Sequence, residues 1–370
     1  MQANFLRGCG LYGNLGNYIK RLGKIVVVNQ VFQEKAKALN ITFVGCGKMG
    51  SAMLEGCLKS FDDSMIFNVV KPRELTGDLA AHPQTRHASV PANMADDIQK
   101  SDLVIFAVKP QMMNEVCEEW KGYLAPDTPV AHICAGIQLR FLEEYLGHRP
   151  YARIMPNTPA SVGKGMSGVY FNESTPEQTQ ELISDILGVI GEQVKMDDES
   201  QMDAVTAISG SGPAYVFYFV EHAMQTLDMP EEQVRDFVIK AGQSMEDDAP
   251  VQGPDELVRL FNVFQDEMLQ GAKQFDFEQE TYEALVKQTI IGSAALIEGQ
   301  AGTPISTLRS NVTSKGGTTA AALNIMMDGD LLAAGKVEQG MMAARDRGVE
   351  LSELAFSKVS TQNTTRQFRI

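Results

Sequence analysis

From Ile41 onward, short, largely apolar runs alternate with stretches whose apolar residues recur every three or four positions. Ile41 to Val44, Met65 to Val70, Leu103 to Val108 and Val130 to Cys134 are of the first kind. A strand that is apolar on both of its faces is a strand covered on both sides, and the amphipathic segments between these runs supply the cover. This alternation predicts a parallel sheet with helices outside it. Two more runs, Tyr151 to Met155 and Met166 to Phe171, lead to a helical segment at Pro176 to Ile190 and a last strand near Gln193 to Met196, closing a first domain at 41–200. Beyond Ser200 the strand signal fades and helical periodicity carries Tyr215 to Leu227, Glu278 to Glu298 and Thr318 to Met327. A second domain at 201–370 is therefore expected to be almost entirely helical. Residues 230–276 stand apart within it. Pro230, Pro250, Gly253 and Pro254 interrupt them, and eleven acids face four bases, so the stretch reads as an acidic insert with a solvated face.

Composition narrows the class. A chain of 370 residues with 44% hydrophobic and 21% charged residues is a folded globular protein too long for one ordinary core. Its net charge of −15 repels a phosphate backbone, so no nucleic-acid partner is expected. No run approaches the roughly eighteen apolar residues of a membrane span. The five cysteines are odd in number and scattered, with no CxxC pair, and the five histidines show no metal spacing. Reduced cytoplasmic thiols and no metal are the expectation. The first 33 residues carry Arg7, Lys20, Arg21 and Lys24 without an acid. Residues 1–40 are accordingly set apart as a leader, with an organelle presequence and a disordered segment as its two readings.

The first chemical motif lies at Gly45-Cys-Gly47-Lys48-Met49-Gly50, directly after a predicted strand and at the mouth of a helix. In that context Gly45 permits the tight turn and Gly47 lets the backbone approach a pyrophosphate. Gly50 lets the helix pack closely, and the helix-start N–H groups, with Lys48 and Met49 there, face the phosphates. About twenty residues on, where an NAD site holds the ribose hydroxyls with an acid, the chain reads Asn68-Val-Val-Lys71-Pro-Arg73. Positive charge at Lys71 and Arg73 favours a 2′-phosphate, hence NADPH, with NADH the second choice. Ala107, Val108, Lys109 and Pro110 end one strand and Ala135 and Gly136 follow another. Both sets sit at carboxyl ends of parallel strands, where open α/β sheets place their ligands.

Further strings complete a pattern: Arg153-Ile-Met-Pro-Asn157-Thr-Pro159, Ser209-Gly-Ser-Gly-Pro-Ala-Tyr215 and Val312-Thr-Ser314-Lys-Gly316-Gly317-Thr318-Thr319. With the glycine turn and Ala107-Val-Lys-Pro110, they resemble the pyrroline-5-carboxylate reductase family, in the family's order, over roughly residues 41–229 and 277–348. The resemblance implies an α/β Rossmann-type dinucleotide-binding domain followed by an all-helical dimerisation domain. It also implies a homodimer or larger homo-oligomer with the site near the subunit boundary. The implied activity is NADPH-dependent reduction of 1-pyrroline-5-carboxylate to L-proline. By the same resemblance, Ser314, Gly316, Gly317, Thr318 and Thr319 grip the substrate carboxylate, Thr319 also meets the ring nitrogen as the catalytic residue, and Asn157 lies by the nicotinamide. Lys315 stands where the family usually has proline. The Ser209 to Pro213 string reads first as a structural entry to a core helix. Two other readings remain: a reductase of a related cyclic imine, and a non-catalytic oligomeric paralogue using the insert for interaction. A β-hydroxyacid dehydrogenase would need a lysine general acid on the helix that here runs Gly210 to Glu221, which has none.

Overall fold

A computed structural model describes residues 38–62 and 64–367. Residues 1–37 of the expected leader lie outside the described residues, and Leu39 and Asn40 already belong to the first strand. The strands are β1 (Leu39–Val44), β2 (Met65–Val70), β3 (Thr85–Ala88), β4 (Leu103–Phe106), β5 (Val130–His132), β6 (Tyr151–Met155), β7 (Gly165–Phe171) and β8 (Gly191–Lys195). They form one sheet in the order β3-β2-β1-β4-β5-β6-β7-β8, in which only the β6–β7 pair is antiparallel. Chain direction from β1 runs outward both ways, so a crevice opens at the carboxyl ends of β1 and β4, the switch point where such sheets bind dinucleotides.

Alternation along the strands explains the two-sided cover. Phe43, Phe67, Ile105 and Ile154 face one side, with α1 (Lys48–Ser60) and, after the shorter helices, α6 (Glu177–Gly188) packed over them. Val44, Val104, Phe106 and Tyr151 face the other, beneath α3 (Ala95–Gln99), α4 (Met113–Trp120) and α5 (Leu139–Leu146). The single turn α2 (Asp78–Ala81) leads into β3. β3 was not predicted, because Thr-Arg-His-Ala is an edge strand without an apolar run.

The second half is helical throughout: α7 (Gln201–Val205), a π-helical turn at Thr206–Gly210, α8 (Gly212–Leu227), α9 (Glu231–Glu246), α10 (Asp255–Lys273), α11 (Gln279–Gly299), α12 (Ile305–Asn311), α13 (Thr318–Met326) and the long α14 (Lys336–Gln367). The acidic stretch set apart from composition as an insert is here part of the core. Val234, Phe237, Val238, Ala241 and Met245 recur at helical spacing on the inner side of α9, and Leu257, Phe261, Phe264 and Met268 do so on α10. Phe219 of α8 stacks on Phe264 with ring centroids 4.8 Å apart, and Phe261 stands edge-on to both Phe219 and Phe237. Buried Arg235 on α9 donates to the carbonyls of Ile297, Gln300 and Thr303, capping the end of α11. The acids Glu232, Asp236 and Asp266 line the outer, exposed sides.

Candidate active site

The GxGxxG turn forms as read. Gly45 has φ +80°, and a Cβ there would lie 2.7 Å from Val108 Cγ1 and 2.9 Å from the Ala107 carbonyl, so any side chain would push the turn off the end of β4. Gly50 approaches Ala107 in the same way, which seats α1 on the post-β4 segment. No atom lies within 4 Å of a Cβ placed on Gly47, so that face of the turn is open. The first N–H groups of α1, from Lys48, Met49 and Gly50, have no intrahelical acceptor and are available to phosphate oxygens. Lys71 reaches across from the end of β2, its Nζ donating to the Cys46 carbonyl at 3.4 Å, while Arg73 is exposed one turn further on. The His87 ring is bonded to the Lys71 carbonyl at 3.0 Å, which ties the β3 edge to this corner.

Other expected residues fall around the same crevice. Lys109 is exposed and Pro110 begins a short 3-10 turn, as a helix-start proline does. The Cys134 thiol donates to the Val108 carbonyl at 3.2 Å, joining the segments that follow β4 and β5. Burial pushes that thiol up to about 12, so it stays protonated. Ala135 is half-buried, and Gly136, at φ +68°, lies against Leu351 and Gly348 of α14. The C-terminal helix thus covers the loop after β5. Asn157 is buried, with its amide nitrogen donating to the Ser209 carbonyl at 3.2 Å and its oxygen accepting from Met166 N at 2.8 Å. It therefore stitches the end of β6 to the start of the helical half.

The hydroxyl-rich turn is also formed. Gly317 N donates to the Ser314 carbonyl at 3.1 Å and Gly316 takes φ +71°, closing a tight turn that Lys315 leaves exposed. Thr318 and Thr319 open α13, whose leading N–H groups have no helical acceptor. Arg347 of α14 donates to the Gly316 carbonyl at 2.8 Å and so braces the turn from behind. Ser211 Oγ meets Thr318 Oγ1 at 3.1 Å and accepts from Thr319 Oγ1 at 3.3 Å. A continuous path therefore leads from the glycine turn to the hydroxyl turn: α1 packs on the Thr158–Val162 turn, Asn157 precedes it and holds Ser209, and Ser211 holds both threonines. All of it lies within one chain.

Sequence reading missed Ser211, Arg347 and a buried charge cluster under the crevice. Arg153, on β6, gives one guanidinium nitrogen to Asp203 at 2.7 Å and another to Glu199 at 3.5 Å. Glu199 in turn accepts from Leu139 N at 2.7 Å, at the start of α5. Burial pushes the Glu199 carboxyl up, and Arg153 opposes the shift. Only the family string containing Arg153 hinted at this cluster. Among the described residues no group of His, Cys, Asp and Glu is placed to hold a metal, and no helix is long and apolar enough to cross a membrane.

Known proteins give the site its context. A family model described as pyrroline-5-carboxylate reductase dimerisation matches residues 199–247 and 260–351. The unmatched gap falls on the link between α9 and α10 and the first residues of α10. A second model, described as NADP oxidoreductase, coenzyme F420-dependent, matches 40–133. The pyrroline-5-carboxylate reductase of Haemophilus influenzae is 33% identical, covering 85% of this chain and 98% of its own. That of Arabidopsis thaliana is 28% identical, covering 86% and 97%. A solved pyrroline-5-carboxylate reductase from Coxiella burnetii superposes with a TM-score of 0.52 at 26% identity, over 85% of this chain and 99% of that one. The Plasmodium falciparum enzyme, solved with NADP bound, gives a TM-score of 0.50 at 24% identity over 85% and 98%. With its motifs in order, its two halves folded as those proteins fold, and nearly the whole length of a one-third-identical reductase aligned, this chain belongs to the pyrroline-5-carboxylate reductase family.

Proposed function

We propose that this protein reduces the ring imine of 1-pyrroline-5-carboxylate to the secondary amine of L-proline with NADPH. One observation carries the reading furthest: an open glycine turn and an anion-ready hydroxyl turn are joined through Asn157, Ser209 and Ser211. The residues present fit a dinucleotide, because Gly47 leaves its face clear and the α1 N–H groups lack partners. Gly45, Gly47, Lys48, Met49 and Gly50 would hold the pyrophosphate and Lys71 with Arg73 the 2′-phosphate. Ala107, Val108, Lys109, Pro110, Ala135 and Gly136 would line the remainder, with Asn157 fixing the nicotinamide end of the crevice. When bound, the dinucleotide would supply the hydride for the imine carbon, and the ring nitrogen, entering protonated as the iminium, carries the proton that completes the secondary amine and offers its N–H to the Thr319 oxygen.

The chain's own work is alignment. N–H groups at the start of α13, with the Ser314 and Thr318 hydroxyls, hold the substrate carboxylate, and Gly316 and Gly317 give the turn its shape. Thr319 is placed to hydrogen-bond the ring nitrogen and so fix which ring face meets the donor. No acid/base pair is required of the protein, in keeping with a site built of hydroxyls and backbone amides. We assign the active form as a homodimer, supported by the dimerisation family of the helical half. The cytoplasm is its assigned compartment, in keeping with Cys46, Cys57, Cys117 and Cys134 as free thiols.

The test follows nucleotide oxidation at 340 nm with pyrroline-5-carboxylate and with its six-membered homologue. The wild-type enzyme is expected to oxidise NADPH faster with the five-membered ring, and T319A to lose roughly ten- to a hundredfold in kcat, the worth of one hydrogen bond to a polarised group. No oxidation with either imine would overturn the activity, whereas full activity in T319A would overturn only that residue's role.

Cofactor choice has its own test. Replacing Lys71 and Arg73 together by serine removes both cations from the end of β2. NADPH affinity should fall by roughly tenfold or more, as expected when charge-assisted contacts to a phosphate are lost, while NADH affinity stays level. Equal losses for the two nucleotides, read by fluorescence titration, would remove the 2′-phosphate role.

A further inference from the structure

Ser211 lies in the string read above as a structural entry to a core helix, yet its side chain hydrogen-bonds to both threonines of the hydroxyl turn. It is 1% exposed, and its Oγ is bonded to Thr318 Oγ1 and Thr319 Oγ1, residues more than a hundred positions away in the chain. Thr319 donates to it, so the Ser211 oxygen is the acceptor for the threonine assigned to the ring nitrogen. Tyr215, four residues on and fully buried, gives its own proton to the Ala207 carbonyl at 2.9 Å and so ties the start of α8 to the turn before it.

The local backbone explains how Ser211 comes to face the threonines. Residues 206–210 form a π-helical turn, closed by Ser211 N donating to the Thr206 carbonyl at 2.8 Å, five residues back. The extra residue in that turn sets Ser211 off the register of a continuous α-helix, and Pro213 then starts α8 afresh. π turns of this kind recur at functional sites because they aim a side chain that a regular helix would aim elsewhere.

We infer that Ser211 is a positioning residue for the reaction: set by the π-helical turn, it fixes the rotamer of the Thr319 hydroxyl that meets the ring nitrogen. This rests on the proposed role of Thr319 and deepens it. Without Ser211 the Thr319 hydroxyl is free to rotate among its staggered positions, and only one of them serves the substrate.

A double-mutant cycle on kcat/KM for pyrroline-5-carboxylate tests it, using S211A, T319A and the double variant of the full chain. In the wild-type background S211A should cost roughly tenfold, and in the T319A background almost nothing, because a residue that acts through Thr319 has nothing left to act on. L-Proline binding by calorimetry gives a second cycle that does not depend on turnover and should show the same non-additivity. Losses that multiply, S211A costing the same with and without Thr319, would overturn the inference and assign Ser211 to general packing of the turn. An inactive wild-type enzyme would instead sink the functional reading itself, so the two failures are told apart.

Discussion

Arg153→Met is expected to destabilise the fold by about 3 to 5 kcal/mol, the cost of removing one partner from a buried ion pair. Its guanidinium is 2% exposed and answers two carboxylates, Asp203 and Glu199, of which Asp203 is itself 4% exposed. Removing the cation leaves the buried Asp203 side chain without its partner and takes away the group that opposes the upward shift of Glu199. The position makes the effect more than local. β6 carries Arg153, α7 carries Asp203, and Glu199 holds the first amide of α5, so the cluster is a junction between the sheet and the helical half. Gly348 of α14 lies against Asp203, which brings the C-terminal helix into the same junction. Urea unfolding followed by circular dichroism reads the loss directly. A cost below about 1 kcal/mol would place this pair with ordinary surface ion pairs and contradict its burial. Arg153→Lys should fall between, because one ammonium cannot answer both acids with the geometry of a guanidinium.

How much of this was legible in the sequence depended on whether the signal was local. β2 and β6 begin and end where their apolar runs do, and β1 begins two residues early, at Leu39. The glycine turn was legible for the same reason: its three glycines, its strand and its helix lie within a few residues of one another. β3 was hidden because an edge strand needs no apolar run, and Thr85 to Ala88 has none. The acidic stretch was misjudged because composition averages over faces. Its acids and its buried phenylalanines alternate with helical period, so the same window that reads as a solvated insert also holds Phe237, Phe261 and Phe264 of the core. The role of Ser211 could not be seen from the sequence, although its string could. A serine in that string reads as part of the entry to a core helix, and nothing near it in the chain announces that Thr318 and Thr319 will be its partners.

Lowering the pH from about 6.5 toward 3 should unload stability through a single histidine. His132 ends β5, is fully buried, and pairs in register with Arg153 on β6. Its Nδ1 accepts from Cys134 N at 3.2 Å, which fixes the neutral tautomer with the proton on Nε2, and that nitrogen meets no partner among the described residues. Burial first, and the Arg153 charge second, hold its pKa down at about 3 from an ordinary 6.5. Between those two values the unfolded chain carries a proton on this imidazole and the folded chain does not. The unfolded state thus binds more protons throughout the window, so stability is full above 6.5 and is lost as the pH falls. One group contributes a slope of up to about 1.4 kcal/mol per pH unit, about 5 kcal/mol across the window at most. His132→Gln keeps a side-chain acceptor for the Cys134 amide and removes the titration. Unfolding free energies measured at intervals from pH 7 to pH 4 should fall more steeply for the wild-type chain than for this variant. Parallel curves would mean that the imidazole is protonated in the folded protein, with Arg153 alone unable to keep it neutral.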